Sequence, residues 1–260
     1  MAALPPAVLA CAHPSALAAV LGGALPSSPR RDERSQVKKP SDGGSPVGGP
    51  GCACAVGNEF GERAARHDRD SYRRKGPART TAWLIEGLAA GGTEGMTVLD
   101  IGAGVGAVHL ALLAAGAVSA VDVDGSPAYI AVATEEAYRA GAAASVRYDA
   151  GDFVELAPAI EPADLVALDR VICCYPDMDA LVRLSIARAR LRYGVVYPRD
   201  TALIRALGGA ANVITRLFRQ RFRIWVHRTA DVDAIVRAAG FVPRLERRTL
   251  FWQVVVYERV

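Results

Sequence analysis

Val98-Leu99-Asp100-Ile101-Gly102-Ala103-Gly104-Val105-Gly106 sets three glycines at alternate positions directly behind a short apolar run. The run at 97–101 reads as a buried strand, and 108–115 as a helix closed by Gly116. Glycines so placed let the chain turn tightly and approach a ligand with no Cβ in the way. The helix that follows presents its N-terminus to that ligand. The loop alone leaves the ligand open, because Gly102-x-Gly104-x-x-Ala107 also fits a relaxed dinucleotide fingerprint. Asp100, two residues before Gly102, adds an anion, which suits a cationic ligand better than a pyrophosphate.

Working outward, strands are expected at 118–123, 145–148, 164–168 and 192–197, with helices at 126–140 and 179–189. This alternation is that of a parallel sheet with right-handed crossovers. Upstream, 59–75 and 78–90 read as helices separated by Gly76-Pro77. Downstream, 200–218 and 232–239 read as helices, and 244–250 with 252–257 as a terminal antiparallel pair.

Two further acidic groups follow the loop. Asp122-Val123-Asp124-Gly125-Ser126-Pro127 ends the second strand about 20 residues on, where an acid accepts the two hydroxyls of a ribose. Asp122 and Asp124 compete for that role. Gly151-Asp152-Phe153 follows the third strand, and Asp152 reads equally as a helix cap and as a ligand group.

With these residues in hand, the stretch 98–152 resembles the motif region of class I S-adenosylmethionine-dependent methyltransferases. The resemblance implies an α/β, Rossmann-like fold: a mostly parallel seven-stranded sheet with a C-terminal antiparallel hairpin and helices on both faces. It implies S-adenosylmethionine as cofactor, with Asp100, Gly102, Gly104 and Gly106 along the methionine part. Asp124 would be the preferred ribose acid because Ser126-Pro127 opens the next helix, and Gly151, Asp152 and Phe153 would meet the adenine. The segment 164–177 would lie beside the methyl group, with Asp169, Tyr175 and Asp177 as the polar groups it could supply.

Methyl transfer relies chiefly on alignment, and a base is needed only where the acceptor must lose a proton. Asp169 and His227 are the candidates, although His227 in Arg223-Ile224-Trp225-Val226-His227-Arg228 also reads as a strand-end histidine. Cys173-Cys174 reads as a pair of small buried hydrophobes rather than a nucleophile. The segment 183–228 holds eleven arginines against one acid, Asp200, a directional positive field. Its helix, inside an insertion at about 200–228, would cover the substrate. Aromatic residues are not interleaved with the basic ones, which counts against nucleic acid.

Over 58–260 the chain looks nearest to the magnesium-protoporphyrin O-methyltransferase-like group, specifically so only in its cofactor half. The expectation is O-methylation of an anionic or amphipathic small molecule such as an apolar carboxylate. Competing readings are a nicotinamide-dependent oxidoreductase and a non-catalytic cofactor-binding protein.

Bulk properties agree with a globular domain: 260 residues, 51% hydrophobic, 22% charged, net charge +4. Residues 1–56 are expected to be a disordered low-complexity extension, since 27–51 is almost devoid of large apolar side chains. The domain proper would be 57–260. The five cysteines form no disulfide framework, and Cys52 and Cys54 are too close for zinc, so no metal site and a cytoplasmic location are expected. No apolar run reaches the roughly 18 residues of a membrane span, though peripheral membrane contact fits the arginine-rich helix.

Overall fold

The computed structural model describes residues 60–217 and 223–260. The expected extension at 1–56, and Phe218, Arg219 and Arg221 of the basic segment, lie outside the described residues.

Seven strands form one sheet in the order β3-β2-β1-β4-β5-β7-β6. They are β1 Thr97–Ile101, β2 Ser119–Asp124, β3 Val146–Ala150, β4 Ala163–Asp169, β5 Ala189–Pro198, β6 Phe241–Arg248 and β7 Trp252–Arg259. The first five pair in parallel, and β7 runs antiparallel to both β5 and β6. Eight α-helices are seen among the described residues: α1 Glu62–Lys75, α2 Arg79–Ala89, α3 Ala107–Ala114, α4 Pro127–Arg139, α5 Phe153–Leu156, α6 Met178–Ile186, α7 Ala202–Leu217 and α8 Thr229–Ala238. This is the expected Rossmann-like architecture.

Alternation along the strands sorts side chains to two apolar layers. Leu99, Ile101, Val123, Val166, Leu168 and Val195 pack with Val182 and Ile186 of α6 and with Val232 and Val236 of α8. Val98, Ala120, Leu165, Ala167, Val196, Val254 and Val256 pack with Leu84 and Leu88 of α2 and with Val108 and Leu112 of α3. Burying such a side chain completely contributes about 1.5–3 kcal/mol, so these layers supply most of the driving force. On the second face α1 lies over α4, where Arg69 and Arg73 pair with Glu135 and Glu136 and Tyr129 donates to Asp68 at 2.5 Å.

Three local features depart from the expectations. β5 starts at Ala189, three residues early, because Ala189 pairs with Ala163 of β4, a cross-strand partner invisible to periodicity. A one-turn helix, α5, follows β3 where none was expected. The run 223–228 is irregular, so His227 is not a strand-end histidine. No helix among the described residues is long and apolar enough to cross a membrane.

Candidate active site

The ends of β1 through β4 meet where the strand order reverses between β1 and β4, the place where open α/β sheets form their ligand crevice. Gly102 leaves β1 with φ +64°, and its N–H donates to the Val123 carbonyl at 2.7 Å. A Cβ on Gly102 would stand 2.6 Å from Cγ2 of Val171. Gly106, with φ +81°, caps α3, and a Cβ there would come within 2.8 Å of the His109 ring. Gly102→Ala therefore combines left-handed backbone strain with a clash against the loop after β4. Its expected cost is about 2–4 kcal/mol, to be read from urea unfolding.

Asp124, the last residue of β2, fastens the loop. Its Oδ2 accepts the Gly104 N–H at 3.1 Å and its Oδ1 accepts the Ser126 N–H at 2.8 Å. Burial raises its carboxyl above the usual range, against the pull of those two donors. Asp122 differs in its exposure and its hydrogen bonding. It is completely buried, and neither oxygen finds a hydrogen-bond partner among the described residues. Burial first, then the neighbouring Asp100 and Asp124, push its carboxyl up to about 9. Asp100, Asp122 and Tyr148 are in register across β1, β2 and β3, so the two carboxyls lie side by side beneath α3 and α4.

Asp100 is also fully buried, and its Oδ2 accepts from the main-chain N–H of His109 at 3.2 Å and from Nδ1 of its ring at 3.0 Å. The carboxylate so engaged fixes the proton of His109 on Nδ1 and ties α3 to β1. Sequence reasoning missed His109. Its only signal was a lone polar residue in an otherwise apolar helix.

After β3, the Gly151 N–H donates to the Asp124 carbonyl at 3.0 Å. Asp152 caps α5 through Val154 N–H at 2.9 Å, and both its oxygens lie within about 3 Å of the Tyr175 hydroxyl, at 3.1 and 3.0 Å. The capping reading is thus realised, and Tyr175 joins the site. Phe153 faces inward and packs in the core with Leu181 and Val182, so the structure does not bring its ring to the crevice.

Asp169 ends β4. It accepts from Thr81 Oγ1 of α2 at 2.5 Å and from Nε of Arg170 at 3.1 Å. Arg170 has φ +62°, a conformation rare for a side-chain-bearing residue, and one that functional sites concentrate. The chain next makes a turn at Ile172–Cys174. The segment 223–228 hangs from that turn: the Trp225 N–H donates to Cys173 O at 2.8 Å, and His227 Nε2 donates to Ile172 O and Tyr175 O, both at 3.1 Å. Burial lowers the His227 pKa, partly offset by these two carbonyls. His227 is therefore neutral at pH 7, with its proton on Nε2 and Nδ1 left as an acceptor. Cys173 is buried, as expected, and Cys174 half-buried, with their sulfurs 3.7 Å apart.

The arginines do not make one field over the crevice. Arg183 pairs with Asp179, Arg188 donates to Ala157 O, and Arg192 is buried on the carbonyls of Leu88 and Gly92. Arg188 and Arg192 brace the far end of the sheet, whereas Arg183 only bridges one turn of α6. A groove of about 720 Å³ between the start of α1 and α4, lined by Phe60, Arg69, Ser126 and Val132, borders the end of β2 but contains neither Gly102, Gly104 and Gly106 nor Asp169.

The family model described as "Methyltransferase domain" matches residues 98–193, which run from β1 into the first half of β5 and include the C-terminal ends of β1 to β4. That stretch carries a methyltransferase domain, and with the fold and the glycine loop it supports S-adenosylmethionine-dependent methyl transfer as the activity of the chain. Its fold is similar to that of magnesium protoporphyrin IX methyltransferase from Synechocystis PCC 6803, solved with bound SAH, at 22% identity and TM-score 0.55, covering 76% of this chain and 85% of that one. An O-methyltransferase family protein from Burkholderia thailandensis is similar at 15% identity and TM-score 0.56, over 77% of this chain and 63% of that one. An O-methyltransferase family 2 protein from Planctomyces limnophilus, solved with apigenin, is similar at 16% identity and TM-score 0.53, over 76% and 62%. No curated protein sequence matches the chain.

Proposed function

We propose that this enzyme methylates an oxygen of a small anionic or amphipathic acceptor, with a cytoplasmic site of action. The observation that carries the cofactor half is the clasp of Asp124 on Gly104 and Ser126, which puts a carboxylate at the mouth of a side-chain-free loop. The residues fit S-adenosylmethionine. The strand ends offer Asp124, Asp152 and Asp169, acceptors for hydroxyls, an amine and a cation rather than for a pyrophosphate. Gly102, Gly104 and Gly106 would run along the methionine part above Asp100, Asp124 would accept the ribose hydroxyls, and Gly151 and Asp152 would hold the adenine, with Phe153 behind them. Bound there, the cofactor supplies a methyl group on a positively charged sulfur.

Asp169 is held by Thr81 and Arg170, and we assign it to orienting the crevice. His227 is then the base for an acceptor hydroxyl, since its Nε2 is occupied and Nδ1 is left to take a proton. His227→Gln retains a donor for the two carbonyls while removing the base. A kcat loss of about 10²–10⁴ with unchanged melting temperature is expected. Loss of stability with normal kcat would reduce His227 to an anchor.

Calorimetric titration with S-adenosylmethionine, S-adenosylhomocysteine and NADH, followed by an acceptor screen opening on apolar carboxylates, tests the whole reading. Binding of the sulfur nucleosides alone, with turnover of a carboxylate, is expected. Turnover confined to nitrogen acceptors would overturn the O-methylation, and cofactor binding with no turnover on any acceptor would favour a binding role.

A further inference from the structure

We infer that α7 forms a docking surface for an anionic lipid bilayer. α7 is seated on the protein by Ile204, Gly208, Ala211 and Thr215, which are buried. It is tied to 223–228 by Asn212, whose side chain exchanges two hydrogen bonds of 2.8 Å with the main chain of Ile224. On a helical wheel Leu203, Leu207, Val213 and Leu217 fall together in an arc of about 120°, well away from the seated face. Leu203 and Val213 are each 61% exposed and Leu217 75%. The segment 223–228 is tethered on the Gly208 and Asn212 side of α7, away from this stripe, and leaves it open. Single exposed leucines are ordinary, whereas a continuous aliphatic stripe of this kind marks a contact surface.

Charge decides what it contacts. The described residues 199–217 and 223–228 carry Arg199, Arg205, Arg216, Arg223 and Arg228 against the single carboxylate of Asp200, which pairs with Arg205. Arg216 and Arg228 have no carboxylate partner among the described residues. An aliphatic stripe on a helix that also carries arginines matches the chemistry of a bilayer interface: aliphatic groups enter the acyl boundary and cations meet anionic headgroups. A second copy of the chain would bring like charges face to face. The inference depends on neither the cofactor assignment nor the acceptor.

Flotation of the full chain with phosphatidylcholine vesicles, with and without phosphatidylglycerol, tests it. The chain should float with the anionic vesicles, remain behind with the neutral ones, and come off as salt rises. Leu207→Glu with Leu217→Glu should lower partitioning at least about tenfold, because two buried leucine contacts are lost. Both side chains are exposed, so the melting temperature should stay unchanged. Arg216→Glu provides a second variant that reads the electrostatic part alone, and Val118→Glu, on an exposed side chain before β2 at the opposite end of the sheet, should bind as the parent does. Equal binding to neutral vesicles, no binding to anionic ones, or undiminished binding of the double variant would overturn the inference. So would concentration-dependent self-association that the double variant abolishes.

Discussion

Asp122→Asn is expected to raise the stability of the protein at pH 8 by at least about 2 kcal/mol, and to change it little near pH 4. Asp122 lies fully buried without a hydrogen-bond partner among the described residues, and keeps its proton up to about pH 9. In the unfolded chain an aspartate gives up its proton at about pH 3.9. Below that pH both states are neutral at this residue and it contributes no difference. As pH rises towards 9 the unfolded state ionises and the folded state does not, so folding is progressively disfavoured. Above 9 both ionise and the penalty levels off. Asparagine has nearly the same shape and no such linkage. Thermal unfolding at the two pH values checks the point, with a shift of about 4–8 °C expected at pH 8 for a domain of this size. An equal gain at both pH values would mean that packing, not ionisation, is responsible. Cofactor affinity should be unchanged, which separates Asp122 from the role proposed for Asp124.

Asp124→Ala should weaken S-adenosylmethionine binding by about 10- to 100-fold, equivalent to about 1–3 kcal/mol. Two losses combine. The ribose hydroxyls lose a charged acceptor, and the N–H groups of Gly104 and Ser126 lose the carboxylate that holds the loop against β2. Asp124→Asn keeps one oxygen acceptor and should fall between the parent and the alanine variant. Calorimetry reads the affinity, and urea unfolding reads what the clasp contributes to the fold. Full affinity in Asp124→Ala would move the ribose role to another residue.

Much of the fold was legible because it depends on local periodicity and glycine punctuation. The bounds of β1 follow from its apolar run and the Gly102 turn, and the terminal hairpin from two β-rich stretches set close together. What escaped depends on partners remote in the chain. The early start of β5 is decided by Ala163, and the irregular path of 223–228 by carbonyls more than fifty residues away. At the site, residue types were readable but not their exposure. Asp122 and Asp124 are chemically identical and share one face of β2, yet position along the strand buries Asp122 within the sheet under α3 and α4 and leaves Asp124 at the strand's C-terminal end, beside the glycine loop.

From its residues alone this protein was determined to be an α/β chain with a glycine loop, a run of strand-end acids and an arginine-rich helix, since each is a matter of local order and composition. Only the tertiary structure decided that Asp124 is the clasp, that His109 answers Asp100, that His227 hangs 223–228 beside the crevice, and which arginines are engaged within the domain. Hydrogen bonds and desolvation act between groups brought together by the packing of distant segments, and one-dimensional spacing carries no record of those distances.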